Sequence, residues 1–370
     1  GPSSGEPTGI LKDAAIRLVE AVMPKPSEAD RGSALRLALA KAAAEGVTSV
    51  HDVTDWGNPD WSEWALFQQF RAQSELTCRI FARLPLIDWD RRRADMPAFL
   101  TGDAADPWLR FGGLKGFTDG SLGGHTAYFF DPYNAAPDSF GLLLPDMFPA
   151  GAMEKRIREA DQAGIPVSIH AIGDKANSIL LDIFESVAGH NGPRDRRLRI
   201  EHAQHLRQSD IERMGRLGVI ASVQPAHLID DGGWAERSLG GGRRQLTYPF
   251  RSLIEAGVRL AGGSDWPVAE LSPLLAIHAA VNRETADGQF PGGWNQQQKL
   301  SVDQAIAAFT SGAAYAEFAE AEKGSLTPGK FADLVVLSDD PFQVDPSTLK
   351  QIQVLQTIAG GQLVFERSES

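Results

Sequence analysis

The chain has 370 residues, enough for one large domain and a smaller one. Hydrophobic residues make up 42% of the chain and charged residues 23%, as in ordinary globular proteins. The net charge of −12, without a cluster of Lys and Arg, argues against nucleic acid as the main partner. No apolar run reaches the roughly 18–20 residues that a membrane span needs, so we expect no membrane partner.

Cys78 is the single cysteine, so no disulfide can form within the chain. A chain without disulfides fits a reducing compartment, and we expect a cytoplasmic protein. Cys78 begins the apolar run CRIFARLPLI, which favours a buried structural thiol over a nucleophile.

Helix and strand patterns alternate from the start of the chain. Apolar residues recur at helical spacing over 11–23, 32–46 and 63–76, whereas the runs at 47–53 and 78–87 are typical of strands. A further strand, predicted over 109–118, precedes the long glycine-rich loop DGSLGGHTAYFFDPYNAAPDSFG. Loops of this length inside a domain usually belong to a binding site.

Beyond this loop the alternation becomes regular. Helices are predicted over 151–163, 174–188, 208–217, 249–256 and near 301–318, and strands over 165–171, 198–203, 218–224 and 258–264. Strict alternation implies a parallel sheet wound by right-handed crossovers. The chain carries seven predicted strands, one fewer than a closed (β/α)8 TIM-like barrel has.

The C-terminal tail has a different pattern. KGSLTPGKFADLVVLSDDPF and VLQTIAGGQLVFE contain β-rich runs with turn signals and no helix between the last strands. We therefore expect a barrel domain over 1–322 and part of a small β-structure over 323–370.

Four potential metal ligands lie at the ends of predicted strands. They are Lys115, His170, His202 and Asp265. Their separations are too wide for one local motif, but the carboxyl ends of the strands of a barrel meet at one mouth. Imidazole and carboxylate groups bind zinc, and a bound metal converts water into a nucleophile near neutral pH. Asp265, in a GGSD turn, suits the role of general base.

Each of these residues also has a structural interpretation. A single His after a strand is usually a hydrogen-bonded structural residue, an Asp before a helix is usually an N-cap, and Lys115 alone would be a solvated side chain. The order of all four at strand ends therefore leaves a metal site and a structural role open.

The chain resembles the amidohydrolase superfamily, in particular its YtcJ-like branch, which includes N-substituted formamide deformylases. The motifs are GEPTGILKDAA, GVTSVHDV, LKGFTDGSLGGHTA, SIHAIGDKAN, RIEHAQH, GGSDWPV and KGSLTPGKFADLVVL, in the order of that branch. The resemblance implies a metal-dependent hydrolase of amide or N-formyl C–N bonds with a small-molecule substrate and one or two divalent ions, zinc above all.

The resemblance also implies individual roles. Lys115 would be the lysine of the fourth strand, carboxylated to bridge two metals. His170 and His202 would bind the second metal, and Asp265 would be both a ligand and the general base. The GKFADLVVL segment would belong to the C-terminal half of a β-sandwich that accompanies the barrel.

One departure from the family pattern is clear. The family carries a His-x-His pair after its first barrel strand, and none of the 8 histidines here forms such a pair. We therefore expect an N-terminally truncated piece of a longer enzyme that lacks the first strand and itself binds one metal weakly or none. An inactive amidohydrolase-like barrel, and a deaminase or cyclic amidase using the same site, are the alternatives.

Other side chains lie near the predicted strand ends. His125 in the glycine-rich loop and Trp266 after Asp265 are candidates for substrate contact, with packing as the alternative for each. We expect His205 to be structural, Asp119 to serve a turn, and His227 to lie near the mouth of the barrel. The sequence leaves the oligomeric state open, a homodimer included.

Overall fold

The computed structural model describes residues 9–53, 62–94 and 106–368. Its helices are α1 Arg17–Glu20, α2 Glu28–Ala44, α3 Ser62–Ala72, α4 Trp89–Arg92, α5 Ala152–Gln162, α6 Asp174–Asn191, α7 Gln208–Leu217, α8 His227–Leu239, α9 Phe250–Glu255, α10 Pro273–Asn282, α11 Val302–Ala307 and α12 Ala313–Ala316. Residues 5–8 of the GEPTGILKDAA motif lie outside the described residues.

Seven strands form one sheet in which neighbours in sequence are neighbours in space. They are β1 Ser49–Asp52, β2 Arg79–Pro85, β3 Leu109–Phe117, β4 Val167–Ala171, β5 Arg199–His202, β6 Ile220–Val223 and β7 Leu260–Gly262. Every pair is parallel. All seven predicted strands are thus confirmed.

The sheet curls into an incomplete barrel. Strands in a sheet lie about 4.8 Å apart, so β1 and β5 would be far apart if the sheet were flat. Nevertheless Arg199 Nη1 of β5 donates a hydrogen bond to His51 Nδ1 of β1 over 2.7 Å. The curvature brings side chains from distant strands into one lumen, as the predicted TIM-like barrel lacking one strand requires.

Three further strands form a separate antiparallel sheet in the order β10–β9–β8, with β8 Leu334–Leu337, β9 Val354–Ala359 and β10 Gln362–Glu366. The tail is therefore β-structure, as predicted. The exact domain boundary at residue 322/323 stays a prediction. The helix α2 packs against this sheet, and Thr357 Oγ1 donates to the carbonyl of Ala43 over 2.6 Å.

Two helical predictions need correction. The segment 11–23 forms only a 3₁₀ turn, Asp13–Ile16, and the short α1. Apolar side chains there, such as Val22 at 79% exposure, lack the tertiary contacts that stabilise helices of this length. The predicted helix near 301–318 is divided into α11, a π-helical turn at Ala308–Gly312 and α12.

Cys78 is buried, and burial raises the pKa of its thiol to about 12. A thiol with so high a pKa is almost entirely protonated at neutral pH, so the predicted structural role fits. Within the described part of the chain, no helix has the length and apolar character needed to cross a membrane.

Candidate metal centre at the carboxyl ends of the strands

Three side chains converge at the carboxyl ends of three adjacent strands. His202 ends β5, His227 begins α8 after β6, and Asp265 follows β7. One potential ligand atom from each lies within 4.8 Å of the others. We call His202, His227 and Asp265 the trio. Because β5, β6 and β7 are neighbours in the sheet, its order alone brings the three residues together.

The backbone of the trio is unusual. His202 has φ 77° and Asp265 has φ 59°, and Ala203 next to His202 has φ 44°. Residues other than glycine adopt this left-handed region uncommonly, because the Cβ atom crowds the backbone. Such conformations cluster at functional sites, where the surrounding structure holds them in place.

Two buried nitrogens of the trio lack hydrogen-bond partners among the described residues. They are Nδ1 of His202 and Nε2 of His227. The nearest carboxylate oxygen to His227 Nε2 is Asp265 Oδ2 at 3.7 Å, longer than a hydrogen bond. Leaving a buried polar atom unbonded costs about 1–3 kcal/mol, so each such atom in a native fold needs an explanation.

Burial lowers the pKa of both imidazoles, with that of His202 well below its usual range. Neutral imidazoles carry a free lone pair, which is the form that binds a metal. The donor set of the trio, two neutral imidazoles and one carboxylate, therefore fits a divalent transition metal.

His170 lies beside the trio but outside it. Its ring centroid is 4.5 Å from that of His202. Nε2 donates to the carbonyl of Gly120 over 3.1 Å and lies 3.4 Å from Asp119 Oδ1. Burial and the Lys115 cation lower the pKa of His170 to about 3, so the ring is neutral and Nδ1 is its acceptor.

Lys115 is buried on β3, with Nζ 4.3 Å from the centroid of the Phe117 ring. Burial lowers the pKa of Lys115 to about 8, although the carboxylates of Glu201 and Asp265 oppose the shift. An appreciable fraction of this amine is therefore uncharged near neutral pH.

The turn role predicted for Asp119 needs correction. Asp119 is fully buried and its carboxylate joins three segments, accepting the backbone N–H groups of Tyr128, Ile172 and Gly173 over 2.8–3.0 Å. A Cβ on Gly173 would lie 2.1 Å from the carbonyl oxygen of Tyr128, so only glycine permits this approach. Asp119 thus anchors the long loop against the segment that follows His170.

The two predicted substrate-contact residues lie in different surroundings. His125 stacks on Tyr133, with ring centroids 4.8 Å apart and an interplanar angle of 24°. Trp266 is 45% exposed beside Asp265. His205 exchanges hydrogen bonds with Thr247 Oγ1 at 2.9 Å and Gln204 Nε2 at 3.1 Å, which fits its predicted structural role.

His227 is the residue of the trio to which no metal role was assigned from the sequence. Its position after the predicted strand 218–224 was the available signal, since the other candidates follow strands in the same way. Asp231, one helical turn further on, was also missed. Its Oδ2 accepts hydrogen bonds from Gln204 Nε2 over 2.8 Å and from the Tyr248 hydroxyl over 2.6 Å.

Comparisons with known proteins give one consistent family. The family described as "Amidohydrolase family" matches residues 2–365. The Arabidopsis thaliana protein LONG AFTER FAR-RED 3 is 40% identical over 372 residues, covering 98% of this chain and 62% of its own length. Putative amidohydrolase YtcJ of Bacillus subtilis is 33% identical, covering 99% of this chain and 67% of its own length.

Two more matches bear on activity. N-substituted formamide deformylase of Arthrobacter pascens is 34% identical over 215 residues, covering 57% of this chain and 38% of its own. An uncharacterized metal-dependent hydrolase from Pyrococcus horikoshii superposes with a TM-score of 0.77 at 28% identity, covering 92% of this chain and 66% of its own. The chain thus spans about two thirds or less of the length of these relatives.

Proposed function

Since the chain belongs to the amidohydrolase family, in its YtcJ-like branch, we propose that it is a metal-dependent hydrolase of non-peptide C–N bonds, with amides or N-formyl amines as substrates. The observation that carries the proposal is the convergence of the trio, in which two buried ring nitrogens have no hydrogen-bond partner within residues 9–53, 62–94 and 106–368. The relative named as a deformylase of N-substituted formamides supports the N-formyl class.

Zinc is the metal we propose, because it accepts imidazole and carboxylate ligands together. His202 and Asp265 would hold it, and Lys115 and His170 are the further ligands that the resemblance implies for one or two ions. A divalent metal held here would make a water molecule more acidic and polarise the carbonyl of the bond to be cleaved.

Asp265 moves the proton in this proposal. Its carboxylate lies at the mouth of the barrel with its side chain 29% exposed, where a substrate carbonyl can approach. It takes the proton of the attacking water and passes it to the leaving nitrogen as the C–N bond breaks. Trp266 and His125 are proposed to contact the substituent on that nitrogen.

Lys115 has the chemistry that carboxylation needs. Only the uncharged amine reacts with carbon dioxide, forming a carbamate N–C bond and releasing one proton. A pKa of about 8 makes that form accessible near neutral pH. We therefore include a carboxylated Lys115 in the proposal.

Because the trio lies within this chain, we propose that the chain itself binds metal although it lacks a His-x-His pair. The test is metal removal and replacement on the 370-residue chain. After dialysis against a chelator, formate release from N-benzylformamide should disappear and return with added Zn²⁺, and the His202→Ala variant should stay inactive. His205→Gln, a buried histidine outside the trio, is the matched control. Hydrolysis that survives both metal removal and His202→Ala, or a chain that cleaves no amide, formamide or cyclic amide with Zn²⁺ present, would contradict the proposal.

A further inference from the structure

The geometry points to His227 as a direct metal ligand. We infer that Nε2 of His227, Nδ1 of His202 and the carboxylate of Asp265 bind one divalent transition-metal ion. The inference rests on the proposed metal-dependent function and adds a ligand that lies outside the set implied by the resemblance. Two imidazoles and one carboxylate leave coordination positions open, which is typical of a catalytic rather than a structural site.

One potential ligand atom from each residue of the trio lies within 4.8 Å of the others. His227 Nε2 lies 3.7 Å from Asp265 Oδ2, and the rings of His202 and His227 are nearly parallel, with centroids 6.0 Å apart and an interplanar angle of 22°. Ligands bound at about 2 Å from a common ion are separated by roughly 3–4 Å, so the spacing of the trio needs only small side-chain movement.

The two unbonded nitrogens identify which atoms bind. His202 Nδ1 and His227 Nε2 are both buried, and neither has a hydrogen-bond partner among the described residues. In contrast, both ring nitrogens of the nearby buried His205 form hydrogen bonds, with Thr247 and Gln204. A metal between the two free nitrogens would satisfy both and remove the cost of leaving them unbonded.

The start of α8 is held firmly enough to place a ligand. His227 is the first residue of this helix, and the next residue, Leu228, is fully buried. Asp231 lies one turn later and is fixed by hydrogen bonds from Gln204 and Tyr248. Gln204 is two residues after His202, so a single network ties the two histidine-bearing segments together.

His170 is the rival for this position. Its Nε2 is already engaged with the carbonyl of Gly120 and is close to Asp119, and it falls outside the trio. A site that used His170 in place of His227 would leave His227 Nε2 buried and unbonded. The two arrangements share His202 and Asp265, so only replacement of the two differing histidines separates them.

Metal titration separates the two arrangements. Co²⁺ is added to the metal-free 370-residue chain, to His227→Ala, to His170→Ala and to the control His205→Gln, and binding is followed by visible absorption and equilibrium dialysis. We expect His227→Ala to weaken affinity by more than about 100-fold, beyond the 10–100-fold typical of residues that merely support a ligand. His170→Ala should weaken it less, and His205→Gln should bind as the wild type does.

A second variant tests ligation directly. In His227→Cys a thiolate replaces the imidazole, and Co²⁺ should then show a sulfur-to-metal charge-transfer band that the wild type lacks. Wild-type affinity in His227→Ala, or the absence of that band in a His227→Cys variant that binds Co²⁺, would overturn the inference and leave metal dependence intact. A wild-type chain that binds no Co²⁺ would overturn both, whereas His227-dependent binding without hydrolysis would contradict only the proposed function.

Discussion

The two ends of the barrel differ in how completely their polar side chains are hydrogen-bonded. At the amino ends of the strands, arginines pair with carboxylates of the segment that leads into the C-terminal sheet. The pairs are Arg79 with Asp333, Arg110 with Glu322, and Arg197 with Glu320, each through two hydrogen bonds of 2.7–3.1 Å. At the carboxyl ends, His202 and His227 each have one ring nitrogen without a hydrogen-bond partner in the part of the chain that the structure describes.

This contrast separates stability from function. Complete pairs at the amino ends hold the tail against the barrel, whereas unbonded ligand atoms at the carboxyl ends cost free energy that a bound metal would recover. The same division holds for TIM-barrel enzymes in general, in which the carboxyl face carries catalysis and the amino face carries stability. Substitutions at the two ends should therefore change different quantities.

The largest effect is expected from Asp265→Asn at the carboxyl end. Loss of the general base should lower kcat for formamide hydrolysis by about 10²–10⁴-fold. The midpoint of urea unfolding of the metal-free chain should barely move, because the side chain is 29% exposed. Asp303→Asn, an exposed carboxylate on α11, is the control. If Asp265→Asn lost much stability but kept a normal kcat, the assignment of function to the carboxyl ends would be wrong.

At the amino end, Arg79→Ala should lower stability without changing metal binding. Its guanidinium and the Asp333 carboxylate are both almost completely buried, so removing one partner strands the other and should lower the free energy of unfolding by about 3–5 kcal/mol. Co²⁺ affinity should not change. The double variant Arg79→Met with Asp333→Leu should recover part of the loss, and a double variant as unstable as the single one would show that the pair is not the cause.

His205 is an imidazole at the carboxyl end whose two ring nitrogens are both hydrogen-bonded, so it serves as a comparison for His202 and His227. Burial, with a smaller effect of the Arg243 cation, lowers its pKa to about 3, against about 6.5 when unfolded. Besides Arg243, the titratable group facing it is Tyr248, whose ring centroid lies 6.3 Å away. As pH falls from about 6.5 to about 3, the unfolded chain therefore gains the proton first.

Because of this shift, His205 should reduce the free energy of unfolding by about 1.4 kcal/mol for each pH unit in that window. Urea unfolding of the metal-free chain at several pH values measures the slope. His205→Gln should have a shallower slope by that amount, and identical slopes would mean that His205 is not held neutral.

The smallest effect is expected from Arg110→Ala. The Glu322 carboxylate that it binds is 39% exposed, and ion pairs in contact with water contribute about 1 kcal/mol or less. The change in urea midpoint should also shrink in high salt. If Arg110→Ala lowered the free energy of unfolding as much as Arg79→Ala does, solvent exposure would not determine how much each ion pair contributes to stability.

Much of the fold could be predicted because local patterns and tertiary structure agree. Strands such as 109–118 and 165–171 are apolar runs bounded by glycine or helix signals, and the structure confirms them. Two of the longer helices were not predicted. HLIDDGGWAERSL contains two adjacent glycines and paired acids, which disfavour a helix, and PLLAIHAAVN is apolar on nearly all sides and so shows no helical stripe.

The site residues that come directly after a predicted strand could be identified from the sequence. His202 and Asp265 were identified in this way, and the structure brings them together. His227 was expected only near the mouth of the barrel, since the helix that it begins was not predicted. The bonds of Asp119 depend on segments that meet only after folding. The roles of Lys115 and His170 in metal binding stay predictions.

The most direct test of the central claim is the number of Zn²⁺ ions that the chain retains with and without His202, the imidazole common to both ligand arrangements. After equilibrium dialysis at micromolar Zn²⁺, we expect at least one equivalent in the wild type and close to none in His202→Ala, with equal helix content by circular dichroism. Equal retention by the two proteins, or no retention by either, would contradict a metal centre at the carboxyl ends of the strands.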